Sequence, residues 1–370
     1  YRRTLTLEMR VEQFAFFIHQ DKAWSCATQE NTPEELLAQC ITANVFTHYT
    51  RITPLRDTEQ PVLRSFDYLI PIWHKKEPLA CVLLRGLRAD GGELYEQLRF
   101  INMIASFIAV ALENKRLFNR QLAQERLKRD LELAVQVQNM LIPSRLPSNK
   151  HYEFAGIYQP HEGVGGDYYD LISFDDEEIA FCIADISGKG VAAALLMANF
   201  QANLHALIHR QQLHVKQFIA ELNTAVLRTT QGDKFITFFI ARYHPKQRRL
   251  RYLCAGHNPP FMLHKGELTR LDKGCTILGA FSKIPKIEMG EVYLEKDAFL
   301  LLYTDGLTDL SNEGGDYFDG QRLEQFICDN QDCSVKEFNQ RLMSTIARFK
   351  GERDFPDDIS VLTGRIFVEK

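Results

Sequence analysis

Four aspartates hold the clearest chemistry in this chain. Asp167 stands in Gly165-Gly166-Asp167-Tyr168, Asp185 in Ile183-Ala184-Asp185-Ile186-Ser187-Gly188, Asp305 in Leu302-Tyr303-Thr304-Asp305-Gly306, and Asp357 in Pro356-Asp357-Asp358-Ile359-Ser360. Each borders an apolar, strand-like string and has glycines or small polar residues beside it. One aspartate in such a place reads as a turn-former, because its short side chain bonds nearby backbone. Four in the same setting admit a second reading. Strand ends of one sandwich can converge, and carboxylates within a few ångströms repel and raise each other's pKa unless cations neutralise them. All-oxygen ligation selects hard ions such as Mg²⁺ or Mn²⁺ over zinc. Two such ions roughly 3.5 to 4 Å apart form the hydrolytic arrangement used on phosphate esters.

The elements that must position these acids follow from the hydrophobic pattern. Residues 152–158, 168–173 and 179–186 read as strands, followed by helices over 191–209 and 215–229. Strands near 235–243, 250–255, 261–263, 287–294 and 299–303 come next, then two helices and a last strand over 359–368. Runs of strands interrupted by paired helices predict a layered sandwich with helices outside the sheets.

Upstream, residues 113–142 contain no Gly or Pro and read as one charged helix, stopped by Pro143 in a polar turn with Pro147. Leu127, Leu131, Ala134 and Leu141, with Gln138 interposed, follow the 4-3-4-3 spacing of a coiled-coil seam. Leucines 117, 122 and 127 are five apart and break that register. The stretch is either a parallel dimer coil or an amphipathic helix packed on its own domains. Before it, residues 14–19 read as a strand, and 68–73 and 79–84 as a hairpin joined by His74-Lys75-Lys76-Glu77-Pro78. Thr32 before Pro33-Glu34-Glu35 predicts a capped helix running to about Phe46. A further helix begins near Gly92 and enters the linker.

Composition sets limits on function. The 370 residues predict two or three domains, and 45% apolar with 25% charged residues describes an ordinary soluble chain. The near balance of 44 basic against 48 acidic residues, a net charge of −4, argues against a nucleic-acid binder, which would need a concentrated basic face. The longest strongly apolar stretch, 100–112, falls short of the roughly 20 residues needed to span a bilayer. Eight scattered cysteines without a C-x-x-C pair argue against zinc-ribbon or redox motifs and fit free thiols in a reducing cytoplasm. The chain begins at Tyr1, which reads as a piece of a longer protein.

Other signatures fail. Gly188-Lys189-Gly190 lacks the phosphate-loop pattern, and Gly163, Gly165 and Gly166 do not fit G-x-G-x-x-G. His205 and His209 share a helix face, but Ala206 stands where a zinc protease needs its Glu base. A coil-linked sensor kinase would carry a phosphoacceptor histidine, and 113–142 contains none.

Taken together, Gly163-Val164-Gly165-Gly166-Asp167-Tyr168-Tyr169-Asp170, Ala184-Asp185-Ile186-Ser187-Gly188-Lys189-Gly190, Ala255-Gly256-His257-Asn258-Pro259-Pro260, Tyr303-Thr304-Asp305-Gly306-Leu307-Thr308-Asp309 and Asp357-Asp358-Ile359-Ser360-Val361 resemble the metal-dependent protein phosphatase (PPM) family, in its SpoIIE-like and RsbU-like bacterial branch. The resemblance spans about residues 145–370. It implies an αββα sandwich with two Mn²⁺ or Mg²⁺ ions. Asp185 would bridge them, Asp167 and the Ile186 backbone carbonyl would hold one, and Asp305 and Asp357 the other, with Gly166 and Asp358 beside the ligands. A metal-activated water would attack the phosphorus of phosphoserine or phosphothreonine in line, without a phosphoenzyme. Residues 158–166 lack the Arg that eukaryotic members use to grip phosphate, leaving His161 as either a substitute or a solvated loop residue. The helix pair at 191–229 corresponds to the branch's switch helices; its residues alone fit a covering pair equally.

The strand hairpin and the long helix ending Ala-Leu-Glu-Asn-Lys-Arg-Leu-Phe at 111–118 resemble the GAF sensory domain. That resemblance implies a regulatory module that binds a small-molecule or protein signal, or only dimerises. The expected fold class is α+β: a GAF-like domain over 1–112, a helical coiled-coil linker over 113–143 and a SpoIIE-like phosphatase domain over 144–370. The implied protein is a cytoplasmic homodimer joined through linker and GAF-like domain. Its implied substrate is a phosphorylated STAS-domain anti-sigma-factor antagonist in a partner-switching pathway. The alternative is a catalytically inactive phosphatase-like scaffold that binds a signalling partner.

Overall fold

Side chains alternate across a strand, so a sheet with apolar residues at every position must be covered on both faces. The first unit, Tyr1–Leu127, is built this way. The structure is a computed structural model and describes all residues except 75, 88–90, 175–177, 211–213 and 369–370. Lys75 of the expected hairpin connection therefore lies outside the described residues.

The elements of this unit are β1 (Gln13–Gln20), β2 (Ala23–Glu30), α1 (Glu34–Thr42), β3 (Thr53–Pro54), β4 (Tyr68–His74), β5 (Glu77–Arg85) and the start of α2 (Gly91–Leu141). They form one antiparallel sheet in the order β2-β1-β5-β4-β3. Phe14, Phe16, Ile70, Ile72, Val82 and Leu84 face Leu98, Ile101, Ala105 and Ala109 of α2. Ala15, Phe17, Leu69, Cys81 and Leu83 face Leu37 and Cys40 of α1 together with Val45, Phe46, Leu63 and Phe66. The opposite side of α2 leaves Phe100, Met103, Phe107, Val110 and Leu117 exposed.

Two local expectations change. The Thr32 side chain does not cap α1. Its hydroxyl is buried and donates to the carbonyls of Phe14 and Glu30, leaving extended Pro33 at the helix start. The helix ends at Thr42 rather than Phe46, with Val45 and Phe46 turned into the core. Strand β2 was not anticipated, because its polar face breaks the apolar run.

The second unit, Lys128–Lys370, contains the end of α2 followed by β6 (Tyr152–Gln159), β7 (Tyr168–Ser173), β8 (Ile179–Ile186), α3 (Gly190–Ile208), α4 (Val215–Thr230), β9 (Ile236–His244), β10 (Arg249–Ala255), β11 (Phe261–His264), β12 (Glu267–Arg270), β13 (Gly274–Cys275), β14 (Gly290–Tyr293), β15 (Ala298–Tyr303), α5 (Asp305–Thr308), α6 (Gly320–Asn330), α7 (Val335–Lys350) and β16 (Ile359–Ile366). One sheet runs β13-β10-β9-β8-β7 with β14 paired to β10, and the other runs β12-β11-β15-β16-β6.

Alternation along β15 shows the layering. Ala298, Leu300 and Leu302 join Phe181, Phe154 and Leu362 between the sheets, while Phe299, Leu301 and Tyr303 join Leu323, Ile327, Phe338 and Leu342 of α6 and α7. On the other side, Met197, Phe200, Ile219 and Leu222 bring α3 and α4 onto the first sheet. The result is the expected αββα sandwich. Helix α3 is long and apolar enough to cross a membrane by composition, yet Ala193, Met197, Phe200 and Leu204 are buried in this core.

Candidate active site

Each sheet delivers its acids from neighbouring strand ends. Asp167 immediately precedes β7 and Asp185 lies near the end of β8, and these strands pair antiparallel with Tyr168 opposite Ala184. Asp305 opens α5 directly after β15 and Asp357 leads into β16, and these pair with Tyr303 opposite Val361.

Gly165 and Gly166 are needed for close approach. A Cβ on Gly165 would stand 2.3 Å from Asp358 Oδ2, and one on Gly166 would stand 2.7 Å from the Ile186 carbonyl oxygen. Asp358 accepts from the backbone N–H groups of His161 (2.8 Å) and Gly166 (2.7 Å), so it tethers the loop before Asp167. The His161 side chain is exposed, as in the solvated-loop reading.

Asp167 is 1% exposed and accepts a 2.7 Å hydrogen bond from the buried Thr304 hydroxyl, whose oxygen in turn accepts from the Ser360 N–H at 2.9 Å. Burial, then the charge of Asp185, pushes the Asp167 carboxyl well above the usual range, with the Thr304 donation opposing. Burial, then Asp305, Asp357 and Asp358, raises Asp185 to about 7, with the Lys189 ammonium opposing. Asp305 is raised by desolvation, then by Asp309 and Asp357.

Asp167 thus feels Asp185, and Asp185 feels Asp305 and Asp357 across the two sheet ends, and the site is short of positive charge. Lys189 supplies some: its Nζ lies 2.9 Å from Asp357 Oδ2 and donates to the Pro356 carbonyl at 2.7 Å. Among the described residues, no three His, Cys, Asp or Glu side chains are gathered closely enough to enclose an ion. The donor chemistry nevertheless fits hard divalent cations, since it consists of carboxylate and carbonyl oxygens that bear uncompensated charge.

Three residues here escaped the sequence reading. Thr304 and Lys189 lie inside the quoted motifs without an assigned role, and their neighbours were the signal that could have found them. The third, Gln138, was read as a polar position on the helix seam. Its side chain is instead buried against Gly165. His205 pairs with Asp170 at 2.6 Å, and the Tyr168 hydroxyl donates to the same carboxylate oxygen at 2.5 Å, tying α3 to β7.

Comparison with known proteins agrees with this geometry. Residues 175–367, just over half the chain, match the family Stage II sporulation protein E (SpoIIE). The chain is 28% identical over 245 residues to phosphoserine phosphatase RsbU of Bacillus subtilis (strain 168), covering 65% of this chain and 71% of that protein. Its fold superposes on the SiaA-PP2C domain of Pseudomonas aeruginosa with a TM-score of 0.58 at 21% identity, covering 67% of this chain and 99% of that one. The RsbU and RsbW domains of Rv1364c from Mycobacterium tuberculosis give 0.52 at 19% identity, covering 62% and 64%. Aspartates delivered by paired strand ends of two facing sheets, together with this family match, place the chain in the SpoIIE family of PPM-type protein phosphatases.

Proposed function

We propose that the second unit hydrolyses phosphoserine and phosphothreonine in a protein substrate with two Mn²⁺ or Mg²⁺ ions held by Asp167, Asp185, Asp305, Asp357 and the Ile186 carbonyl. The observation that carries this reading is geometric: Asp167 and Asp185 come from the paired ends of β7 and β8, and Asp305 and Asp357 from those of β15 and β16, and burial beside further acids raises Asp167 and Asp185. The ions, when bound, supply the Lewis acidity that activates a water and neutralises charge on the phosphoryl oxygens.

The chain's own groups do the positioning. Thr304 fixes one oxygen of Asp167. Asp358 holds the loop ahead of Asp167 through two backbone amides, and Gly166 brings that loop against the Ile186 carbonyl. Lys189 must give up Asp357 for that carboxylate to turn inward, and its released ammonium would then face the same acidic cleft.

The likeness to RsbU and to a structure with RsbU and RsbW domains supports a phosphorylated STAS-domain antagonist of an anti-sigma factor as substrate. The first unit is then a GAF-like regulatory module answering a small-molecule or protein signal, and residues 113–143 connect it to the phosphatase. A homodimer is supported by the exposed stripe Phe100, Met103, Phe107, Val110 and Leu117, whose spacing is heptad-like and has Asn114 at the intervening seam position. Sedimentation as a monomer well above micromolar concentration would remove the dimer.

Hydrolysis of a generic phosphate ester and of a phosphorylated STAS protein, with and without Mn²⁺, tests the central reading in the native chain and in Asp185→Asn. Turnover that needs Mn²⁺ and disappears in the variant is expected. Metal-independent turnover, or turnover untouched by the substitution, would sink it.

A further inference from the structure

The chain crosses from one sheet of the sandwich to the other between β10 and β11, over residues 256–260. Both ends of this crossing are fixed. On the first-sheet side, the Gly256 N–H donates to the Cys275 carbonyl at 3.1 Å. Only glycine suits this position, since its φ is +63° and a Cβ would stand 2.3 Å from Ile277 Cγ2. On the second-sheet side, the Phe261 ring stacks on Tyr303 with centroids 5.7 Å apart, and Tyr303 is two residues before Asp305.

His257 lies inside the crossing and is 5% exposed. Its Nδ1 and the Thr237 hydroxyl are 2.8 Å apart, a hydrogen bond that either can donate. Thr237 is the ladder partner of Asp185. Directly paired residues on neighbouring strands project from the same face of a sheet, so the ring is held on the face that presents the Asp185 carboxylate. The other ring nitrogen, Nε2, is buried with no partner at hydrogen-bonding geometry among the described residues, although the Tyr303 carbonyl is close enough to favour a proton on the ring. A bare buried nitrogen costs stability, so packing alone would favour an apolar side chain here.

We propose that His257 is a positioning residue for the cation site. Its bond to Thr237 fixes the crossing, and with it the spacing between the Asp185 side and the Asp305 side. The inference rests on the two-cation reading of that site. The ion held by Asp167, Asp185 and the Ile186 carbonyl takes all its ligands from the first sheet. The other takes Asp185 from the first sheet and Asp305 and Asp357 from the second, so it alone feels the spacing between them.

The test uses the full chain and Mn²⁺ itself. Thr237→Val keeps the side-chain shape and removes the hydroxyl, His257→Leu removes the ring, and His257→Asn keeps a polar group at the place of Nδ1. The native chain is expected to take up two Mn²⁺ ions in calorimetric titration, and a close pair couples its spins in electron paramagnetic resonance. In Thr237→Val and His257→Leu the first ion is expected to bind about as in the native chain and the second about tenfold or more weakly, the loss typical of residues that orient a ligand, and the coupled spectrum is expected to fade. His257→Asn is expected to recover part of both. The double variant is expected to lose no more than the larger single loss, because the same bond is removed either way.

Variants that melt at lower temperature yet bind both ions with native affinity and keep the coupled spectrum would overturn the proposal, because that is the result of a role in folding alone. Equal weakening of both ions, or losses that add in the double variant, would also overturn it. If His257→Leu does not fold, Thr237→Val carries the same comparison. A native chain that binds a single Mn²⁺ and shows no coupled spectrum would remove the two-cation reading itself, and the inference with it.

Discussion

The two sheets of the phosphatase unit contribute unlike halves to one site. On the β7–β8 side, Asp167 is sealed from solvent and Asp185 is largely so, and both are driven toward protonation. On the β15–β16 side, Asp305 is exposed on the first turn of α5, and Asp357 is half-open and already paired with Lys189. Burying a carboxylate beside other carboxylates costs stability unless something cationic compensates. The buried half therefore bears more of this strain than the open half, where Asp305 is raised as well but Asp357 has Lys189 beside it. A chain selected only to fold would have no physical reason to keep it.

The largest expected effect separates these halves by pairing activity with stability. Asp185→Asn and Asp305→Asn should each lose roughly 10²-fold or more of Mn²⁺-dependent hydrolysis, beyond the cost of removing a mere orienting residue. Without metal, Asp185→Asn should melt higher than the native chain by roughly 5 °C, since a strained charge is gone, while Asp305→Asn should be nearly neutral. Equal melting shifts in the two variants would erase the distinction between the halves.

His257 sharpens the comparison from the seam between the sheets. It follows β10, its Nδ1 lies 2.8 Å from the Thr237 hydroxyl, and Thr237 pairs with Asp185 in the ladder. Burial lowers its pKa from 6.5 to about 4, with the Tyr303 carbonyl opposing. The folded chain thus keeps the ring neutral where the unfolded chain takes up a proton. Stability is intact above pH 6.5 and falls as the pH drops from there toward 4. Denaturant unfolding at pH 7 and 4.5 should show the native chain losing on the order of 2–3 kcal/mol more than His257→Gln between those values. Identical losses would mean that the ring is not held neutral.

Thr304 is the join between the halves, since it stands on the second sheet's side and grips an acid of the first. Thr304→Val leaves Asp167 without its donor and the buried Ser360 N–H without an acceptor. The expected cost is about 1–3 kcal/mol in thermal or denaturant melts. That is opposite in sign to Asp185→Asn, although both changes sit within the same few residues of the site.

How much of this could be read from the sequence divides along the same physical line. The layered sandwich was legible because strands buried on both faces, such as β8, leave uninterrupted apolar runs, and α3 and α4 carry helical spacing. The four aspartates were legible because each sits where such a run stops. Strand β2 was not, since its exposed polar face hides the period. Gln138 was not, because a single polar residue on an amphipathic helix looks the same whether it faces water or a partner's backbone. Its partner, Gly165, is 27 residues away and is brought to it only by the fold. Thr32 shows the converse: the local pattern for a helix cap was present, and the neighbouring strands offered its hydroxyl better-placed carbonyls.

The smallest expected effect bears on the open half alone. Lys189 and Asp357 are 44% and 38% exposed, so their ion pair is worth at most about 1 kcal/mol, and Lys189→Met should leave the melting temperature nearly unchanged. Its effect on cation binding should be out of proportion to that. In the native chain, an entering cation has to take Asp357 Oδ2 from the ammonium, and without the ammonium only the Asp358 N–H, on Oδ1, still holds that carboxylate among the described contacts. Lys189→Met should therefore bind Mn²⁺ up to about fivefold tighter at low ionic strength, the equivalent of that same ~1 kcal/mol. The advantage should shrink as salt screens the native pair. Weaker Mn²⁺ binding in the variant would show that Lys189 prepares Asp357 rather than occupies it. The open half would then be as dependent on its neighbours as the buried one.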